Sequence, residues 1–334
     1  MKVLVVGEPG VRALLPMGAC VGLMKDALAA FARGDAVLPL RTKLRLPDSS
    51  GLLGVMPGYL GEPRSFGCKV LSVMPGNHGT GYDSHQGVVV LFGIAHGEPL
   101  AILDANAITA LRTAAASAAA TDVLARADAG DLALIGAGVQ ARSHLEAMAA
   151  VRALRRVRVW SRSGATAEAF ARAAAALAPA GIAIEVTASV EEAVRGADLV
   201  CTTTGATEPV LHGDWLAPGV HVNAVGACVP HARELDSAAV ARARFYTDCR
   251  ESCLAEAGDF LIARGEGAIT DAHLIGEIGE VLIGRVVGRT SRDDVTVFES
   301  LGIALEDLAA AHDIHRRAQE TGAGTWLEWG GPSG

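Results

Sequence analysis

Residues 136–141, GAGVQA, have the types and the spacing that hold a pyrophosphate. Gly136 permits a tight turn and Gly138 lets the backbone approach the phosphates. The bare N–H groups of a helix start, running on through Arg142 and His144, offer partial positive charge. Ala141 stands where a third glycine often sits, and its small side chain still allows close helix packing. The competing reading is a tight strand-to-helix turn with no ligand. In a dinucleotide fold the second strand ends beside the adenosine ribose, where an Asp or Glu marks NAD. Here that strand ends in Trp160, Ser161, Arg162 and Ser163. No carboxylate repels a 2′-phosphate, and an arginine with two hydroxyls is placed to hold one. NADP(H) is therefore expected in preference to NAD(H), against the alternative of an arginine solvated in a loop.

The elements that must position these groups follow from the hydrophobic pattern. Strand and helix alternate after Asp104: a long helix at about 106–127, DLALIG at 131–136, a helix, VRVWS at 157–161, a helix at 165–179 and IEVT at 184–187. EEAVRGA at 191–197, DLVCTTT at 198–204, HVNAVG at 221–226 and RFYTD at 244–248 continue the series. Such alternation predicts a parallel sheet covered by helices on both faces. The first third differs. A strand at 2–6 and a helix at 17–33 closed by Gly34 precede extended runs at 37–46, 51–57, 66–74 and 86–95, punctuated by Pro75, Gly76 and Asn77. This part is expected to be mostly antiparallel sheet. A final helix is expected at about 302–320, and the closing GAGTWLEWGGPSG is expected to be loose or docked at an interface.

Composition bounds the function. The 334 residues are 50% hydrophobic and 20% charged, which excludes disorder and leaves room for two domains or one large α/β unit. Twenty-nine Lys and Arg against 37 Asp and Glu give a net charge of −8, and aromatics are 4%. A nucleic-acid partner is not expected from such a surface. The longest strongly apolar run, VVVLFGIA at 88–95, is far shorter than the roughly 20 residues of a membrane span. Glu8 and Arg12 interrupt the N-terminal apolar run before a signal-peptide core forms. No membrane association and a cytoplasmic location are expected. Six scattered cysteines suit reduced thiols. Cys249 and Cys253 can share a helical face but lack partners at zinc-site spacing, so no metal is expected.

Five segments together carry a wider pattern: LRTAAASA at 111–118, LALIGAGVQA at 132–141, WLAPGVHVNAVGA at 215–227, EIGEVLIG at 277–284 and TVFESLGIALEDLAAA at 296–311. The chain resembles the ornithine cyclodeaminase/mu-crystallin family over nearly its whole length. GVMPGY at 54–59 and SHQG at 84–87 look closer to its mu-crystallin, ketimine reductase branch. The resemblance implies an α/β fold: a Rossmann dinucleotide-binding domain, placed at 113–301, plus an α+β substrate-binding and dimerisation domain, placed at 1–112 with 302–334, in a homodimer. The expected cofactor contacts are Thr113, Gly136, Gly138, Val139, Gln140, Ser161, Arg162, Ser163, Thr203 and Val225.

Family members handle α-amino or α-imino acids, and the basic residues that hold the substrate carboxylate correspond here to Arg41, Lys69 and Arg112. Three cations inside otherwise apolar segments are costly unless an anion or a carboxylate partner compensates them. Each is alternatively a structural ion pair. Arg112 can clamp a carboxylate bidentately, whereas Lys69 supplies a point charge and a proton. At 228 the resemblance implies an aspartate that handles the substrate amine and water, but this chain has Cys228. A thiol with a reference pKa of about 8.5 is mostly neutral at pH 7 and supplies no fixed negative charge. Oxidising an amine and expelling ammonia needs such a base, whereas reducing a preformed cyclic imine does not. Cys228 is alternatively a small residue lining the pocket. His85 is a second candidate for proton delivery, or a hydrogen-bonded loop histidine. Glu277 and Glu280, three apart on one helical face, and Glu306 and Asp307, the start of a charged patch, look structural.

The expected activity is NADPH-dependent reduction of a small cyclic α-imino acid, a ketimine such as pyrroline-2-carboxylate or piperideine-2-carboxylate, with Lys69, Arg112, Cys228 and His85 as the catalytic set. The alternatives are an NAD-dependent amino-acid dehydrogenase or cyclodeaminase and, in another class, a mu-crystallin-like small-ligand binding protein.

Overall fold

The computed structural model describes residues 1–77 and 79–330. The chain divides into two compact units, one made of Met1–Arg112 with the stretch from Ile303 onward, the other of Thr113–Gly302.

The first unit holds β1 (Lys2–Val6), β2 (Ala36–Val37), β3 (Thr42–Arg45), β4 (Leu52–Gly61), β5 (Arg64–Val73), β6 (His85–Phe92), β7 (Pro99–Asp104) and a C-terminal strand, Thr325–Glu328. The sheet runs from that C-terminal strand through β1, β7, β6, β5 and β4 to β2, and β3 also pairs with β4. Strands β4 and β5 form a long hairpin registered from Leu52↔Val73 to Gly61↔Arg64. Alternation along it buries Met56, Gly58 and Leu60 with Ser65, Gly67 and Lys69 on one face. Helix Ala304–Thr321 packs on that face. Gly58 and Gly67 sit opposite one another and make the approach possible. A Cβ on Gly58 would lie 3.2 Å from both Ala304 Cβ and Leu308 Cδ1, and one on Gly67 would lie 2.9 Å from Leu308 Cδ2. Helix Met17–Arg33 ends as expected at Gly34, whose φ of 86° lets its N–H reach the Ala30 and Phe31 carbonyls.

The sheet is mostly antiparallel, as expected, with β1 and β7 alone pairing in parallel among the described residues; strand β7 and the helix Glu8–Leu14 are not anticipated by the sequence pattern. The C-terminal stretch is not loose: Thr325–Glu328 pairs with β1 from Lys2↔Glu328 to Val5↔Thr325. Its residues 331–334 lie outside the described residues.

The second unit contains β8 (Asp131–Ile135), β9 (Arg156–Trp160), β10 (Ile184–Val186), β11 (Leu199–Thr202), β12 (His221–Ala224), β13 (Arg244–Thr247), β14 (Leu274–Glu277) and β15 (Thr296–Glu299). They form one parallel sheet in the order β10-β9-β8-β11-β12-β15-β13-β14. The first five positions have the 3-2-1-4-5 order with which a doubly wound dinucleotide fold begins, with the reversal between β8 and β11. Strands β11, β12 and β15 are buried at every residue, as parallel strands covered on both faces must be. The last strand in sequence, β15, inserts between β12 and β13. Among the described residues no single helix is long and apolar enough to cross a membrane.

Candidate functional site

In the second unit the chain leaves β8 through Gly136, whose φ is +115°, and its N–H donates to the Trp160 carbonyl at 2.8 Å. A Cβ there would lie 2.7 Å from the Thr203 carbonyl oxygen, so no other residue fits. Gly138 differs: nothing stands within 4 Å of where its Cβ would be. It is the N-cap of helix Val139–Val151 and contributes no side-chain cap. The turn thus has an open approach to first-turn N–H groups, the arrangement that receives a phosphate. Ala141 is fully buried, as a third glycine substitute must be. His144 is fixed between the Gln140 carbonyl at 2.8 Å and Ser117 Oγ at 2.9 Å. Burial pushes its pKa down to about 4, which makes it a neutral structural group.

Beyond β9, Arg162 is exposed and makes no hydrogen bond or ion pair among the described residues. Ser163 caps the next helix, its hydroxyl accepting from Thr166 N–H at 3.4 Å, and Ser161 is half-buried. Thr203 donates its N–H to Ile135 at 2.8 Å and Val225 to Thr202 at 3.1 Å, so the loops after β11 and β12 are stitched to neighbouring strands. Thr113 is buried at the start of this unit, whereas Val139 is exposed at the head of the helix. These residues fit a dinucleotide: a cradle open at Gly138, a tight turn at Gly136 and an unengaged guanidinium past the second strand.

Cys228 is half-buried, with Sγ 3.5 Å from the Val225 carbonyl oxygen and 3.6 Å from that of Ser300. Deeper in the unit four carboxyls gather. Asp248 Oδ2 accepts the N–H groups of Leu301 and Gly302 at 2.8 and 2.6 Å. Burial, then repulsion from Glu234, pushes Asp259 up to about 8, and burial with repulsion from Asp259, Glu234 and Asp248 holds Glu299 well above the ordinary carboxyl range.

In the first unit Lys69 projects from β5 into a buried ionic cluster. Its Nζ donates to Thr109 Oγ1 at 2.5 Å and to Asp307 Oδ1 at 3.3 Å. Arg112 donates from Nε to the same Asp307 oxygen at 3.1 Å and from Nη1 to Glu306 Oε2 at 2.7 Å. Lys69, Arg112, Glu306 and Asp307 are each 5% exposed or less. Arg41, half-buried between β2 and β3, adds its positive field to that of Arg112 at Lys69. Burial is the main reason the Lys69 pKa falls to about 8; Asp307 opposes the fall, while Arg112 and Arg41 reinforce it. His85, at the head of β6, is held below the ordinary histidine range by partial burial and then by Lys69. The structure thus gathers Arg41, Lys69 and Arg112, with His85 within reach of the same field.

Glu306 and Asp307 are structural, as expected, and their charged patch is internal: they are fully buried partners of the two cations. Ion pairing, offered above as the alternative to anion binding, therefore exists for Lys69 and Arg112. The missed signal is in the helix itself, where every residue from Ala304 to Ala311 is buried, so an acidic pair within it cannot face water. Glu277 and Glu280 are structural, forming a reciprocal capping box on helix Ile278–Leu282.

Residues 3–322 match the profile of the ornithine cyclodeaminase/mu-crystallin family. The chain belongs to that family. Within the family it is 40% identical over 295 residues to the ketimine reductase mu-crystallin of Mus musculus, covering 87% of this chain and 90% of the mouse protein. Its fold superposes with a TM-score of 0.93 on Thermococcus litoralis Δ1-pyrroline-2-carboxylate reductase in complex with NADH and L-proline, at 35% identity over 97% of this chain and 99% of the other. An archaeal alanine dehydrogenase dimer with bound NAD gives a TM-score of 0.92 at 30% identity, over 98% and 100% of the two chains.

Proposed function

We propose that this protein is an NAD(P)H-dependent oxidoreductase acting on C=N bonds. It reduces a small cyclic α-imino acid, such as pyrroline-2-carboxylate or piperideine-2-carboxylate, to the cyclic amino acid, with NADPH as the preferred donor. The observation that carries the reading is the gathering of three basic residues, the buried Lys69 and Arg112 with the half-buried Arg41 beside them. Cations held largely out of water suit a substrate carboxylate. The mouse ketimine reductase and the archaeal pyrroline-2-carboxylate reductase support imino-acid reduction.

The dinucleotide, when bound, supplies the hydride. Gly136, Gly138, Val139 and Gln140 would hold its pyrophosphate, Ser161, Arg162 and Ser163 the 2′-phosphate, and Thr113, Thr203 and Val225 its remaining parts. Arg112 and Arg41 fix the substrate carboxylate. Lys69, charged below a pKa of about 8, holds a proton at Nζ for the nitrogen that becomes an amine. His85, held toward its neutral form, suits passing that proton rather than originating it. Cys228, in the second unit, offers no fixed carboxylate to a protonated amine, which separates imine reduction from amine oxidation and elimination.

We further infer that it acts in the cytosol as a homodimer. The outer face of the first unit's sheet leaves Leu53, Phe66 and Val88 between 37% and 45% exposed, an apolar surface suited to a second copy. NADPH oxidation followed across cyclic imino acids, acyclic imines and carboxamide analogues tests the reading. Consumption of a cyclic ketimine acid with at least about tenfold preference over its carboxamide is expected, the size of one charge-assisted contact. Equal reduction of the carboxamide, or ammonia release from L-ornithine with oxidised cofactor, would refute it.

A further inference from the structure

Glu234, in the second unit, is a residue with no role in the reading so far. It is fully buried, yet its carboxylate accepts four hydrogen bonds. Oε1 takes the Thr204 N–H and the Thr204 hydroxyl, both at 2.6 Å. Oε2 takes the Thr202 hydroxyl at 2.8 Å and the Gly226 N–H at 2.6 Å. Two donors per oxygen satisfy both carboxyl oxygens and oppose the upward push of burial, which remains the larger effect on the Glu234 pKa. The donors come from two places: the end of β11 with its following loop, and the loop after β12. Thr203 lies between the two threonines so held, Val225 immediately precedes Gly226, and Cys228 follows two residues later.

The base of the clamp is itself fixed. The Glu234 and Leu235 N–H groups donate to Asp259 Oδ1 at 2.8 and 2.7 Å, and the Glu234 carbonyl accepts from Val210 and Leu211 at 2.8 and 2.9 Å. A Cβ on Gly226 would lie 2.6 Å from the Glu234 carboxyl carbon, so the loop is pressed directly on the carboxylate. An apolar side chain of similar volume would fill this space at lower desolvation cost, but it could not fix two loops at defined donor positions.

In a doubly wound sheet the half built on β8, β9 and β10 serves the adenosine side of a dinucleotide, and the half built on β11, β12 and β15 serves the nicotinamide side. We propose that Glu234 is a positioning residue that locks the loops after β11 and β12 into one relative setting and thereby seats the nicotinamide end of the cofactor. The proposal rests on the dinucleotide reading above. It separates two anchoring functions: Arg162 and the Gly138 turn hold the adenosine and phosphate end, and the Glu234 clamp orders the other end.

The test compares NADPH with 2′-phospho-ADP-ribose, which lacks nicotinamide, by calorimetric titration of the full-length protein. In Glu234→Gln the amide presents donors to donors. NADPH affinity is expected to fall about tenfold, toward that of the fragment, while the fragment binds within about twofold of wild type. Single-turnover hydride transfer at saturating NADPH should fall more than affinity does. If Glu234→Gln does not fold, Thr204→Val against Thr204→Ser decides: loss of nicotinamide-dependent affinity in the first and its recovery in the second support the clamp. Equal weakening of NADPH and fragment would reveal a merely structural role and overturn the proposal, as would wild-type NADPH binding in a folded Glu234→Gln protein. Wild-type protein that binds neither NADPH nor NADH would instead overturn the dinucleotide reading itself.

Discussion

Lys69 and Arg112 share Asp307, yet removing them should have opposite consequences for stability. Folding moves the Lys69 pKa from 10.5 to about 8. At about 1.4 kcal/mol per unit, the protonated lysine costs the folded state about 3 kcal/mol. Because the folded pKa of this base is depressed, the cost is fully present below about pH 8 and is relieved as pH rises toward 10.5. In Lys69→Met that cost vanishes together with a 3.3 Å pair, and Asp307 keeps Arg112 at 3.1 Å. Stability at pH 7 should stay within about 1 kcal/mol of wild type or rise. In Arg112→Met, Glu306 loses its 2.7 Å guanidinium contact and Asp307 keeps only Lys69. A buried charge stripped of its partner costs about 3–5 kcal/mol. Both variants should lose at least about tenfold in kcat/KM for the imino acid while binding NADPH nearly as wild type. Urea unfolding at pH 7, read beside the kinetics, checks both halves. Equal destabilisation by the two substitutions would refute the charge assignment, and turnover retained in Lys69→Met would refute the lysine's role.

Other outcomes follow from the same geometry. As pH rises through about 8 the Lys69 charge is lost, so kcat/KM for the imino acid should decline across that interval in wild type. Lys69→Arg should lack that decline whatever its absolute rate, because a guanidinium stays charged. Arg162→Ala should narrow the NADPH over NADH preference by about 1–3 kcal/mol, measured as the ratio of the two dissociation constants; equal affinities in wild type would sink the assignment. Because Arg162 is exposed, that preference should shrink with added salt, whereas the KM set by the buried cluster should change less. Cys228→Ser, small and neutral, should retain most reductase activity. Cys228→Asp places a carboxylate opposite the Val225 and Ser300 carbonyls and should slow imine reduction, with product assays testing for new amine binding.

What could be read from the residues depended on whether the signal was local. The GAGVQA turn was legible because glycine chemistry and a strand-to-helix change coincide within six residues, and Gly136 indeed takes a φ of +115°. Helix Met17–Arg33 was legible through its apolar run and closing Gly34. The C-terminal strand was not, because its partner β1 lies some 320 residues away and Thr325–Glu328 carries only four residues of pattern. The insertion of β15 between β12 and β13 is likewise a long-range fact. Glu306 and Asp307 were legible as structural but their partners were not, because acidic residues early in a helix are also explained by the helix dipole. Only the assembled sheet shows that this turn points inward, toward Lys69 and Arg112. Glu234 sits outside regular secondary structure with no periodicity around it; its importance is visible only from the four donors that converge on it.

In the proposed reading the two units would handle anions by different physics. The second unit would meet a phosphate with neutral backbone donors at an open turn and one exposed guanidinium, so it would need no buried cation before the ligand arrives. The first unit builds its cation site inside the protein and must stabilise it in the absence of substrate. Glu306 and Asp307 provide that stabilisation through their ion pairs with Lys69 and Arg112. A cysteine at 228 in place of a carboxylate is compatible with the proposed reaction. A preformed imine brings its own carboxylate to the cations and its own unsaturation to the hydride, so catalysis requires a proton at nitrogen and no additional fixed anion. Lys69, depressed by burial but tethered by Asp307, is the group whose environment is set for that single proton.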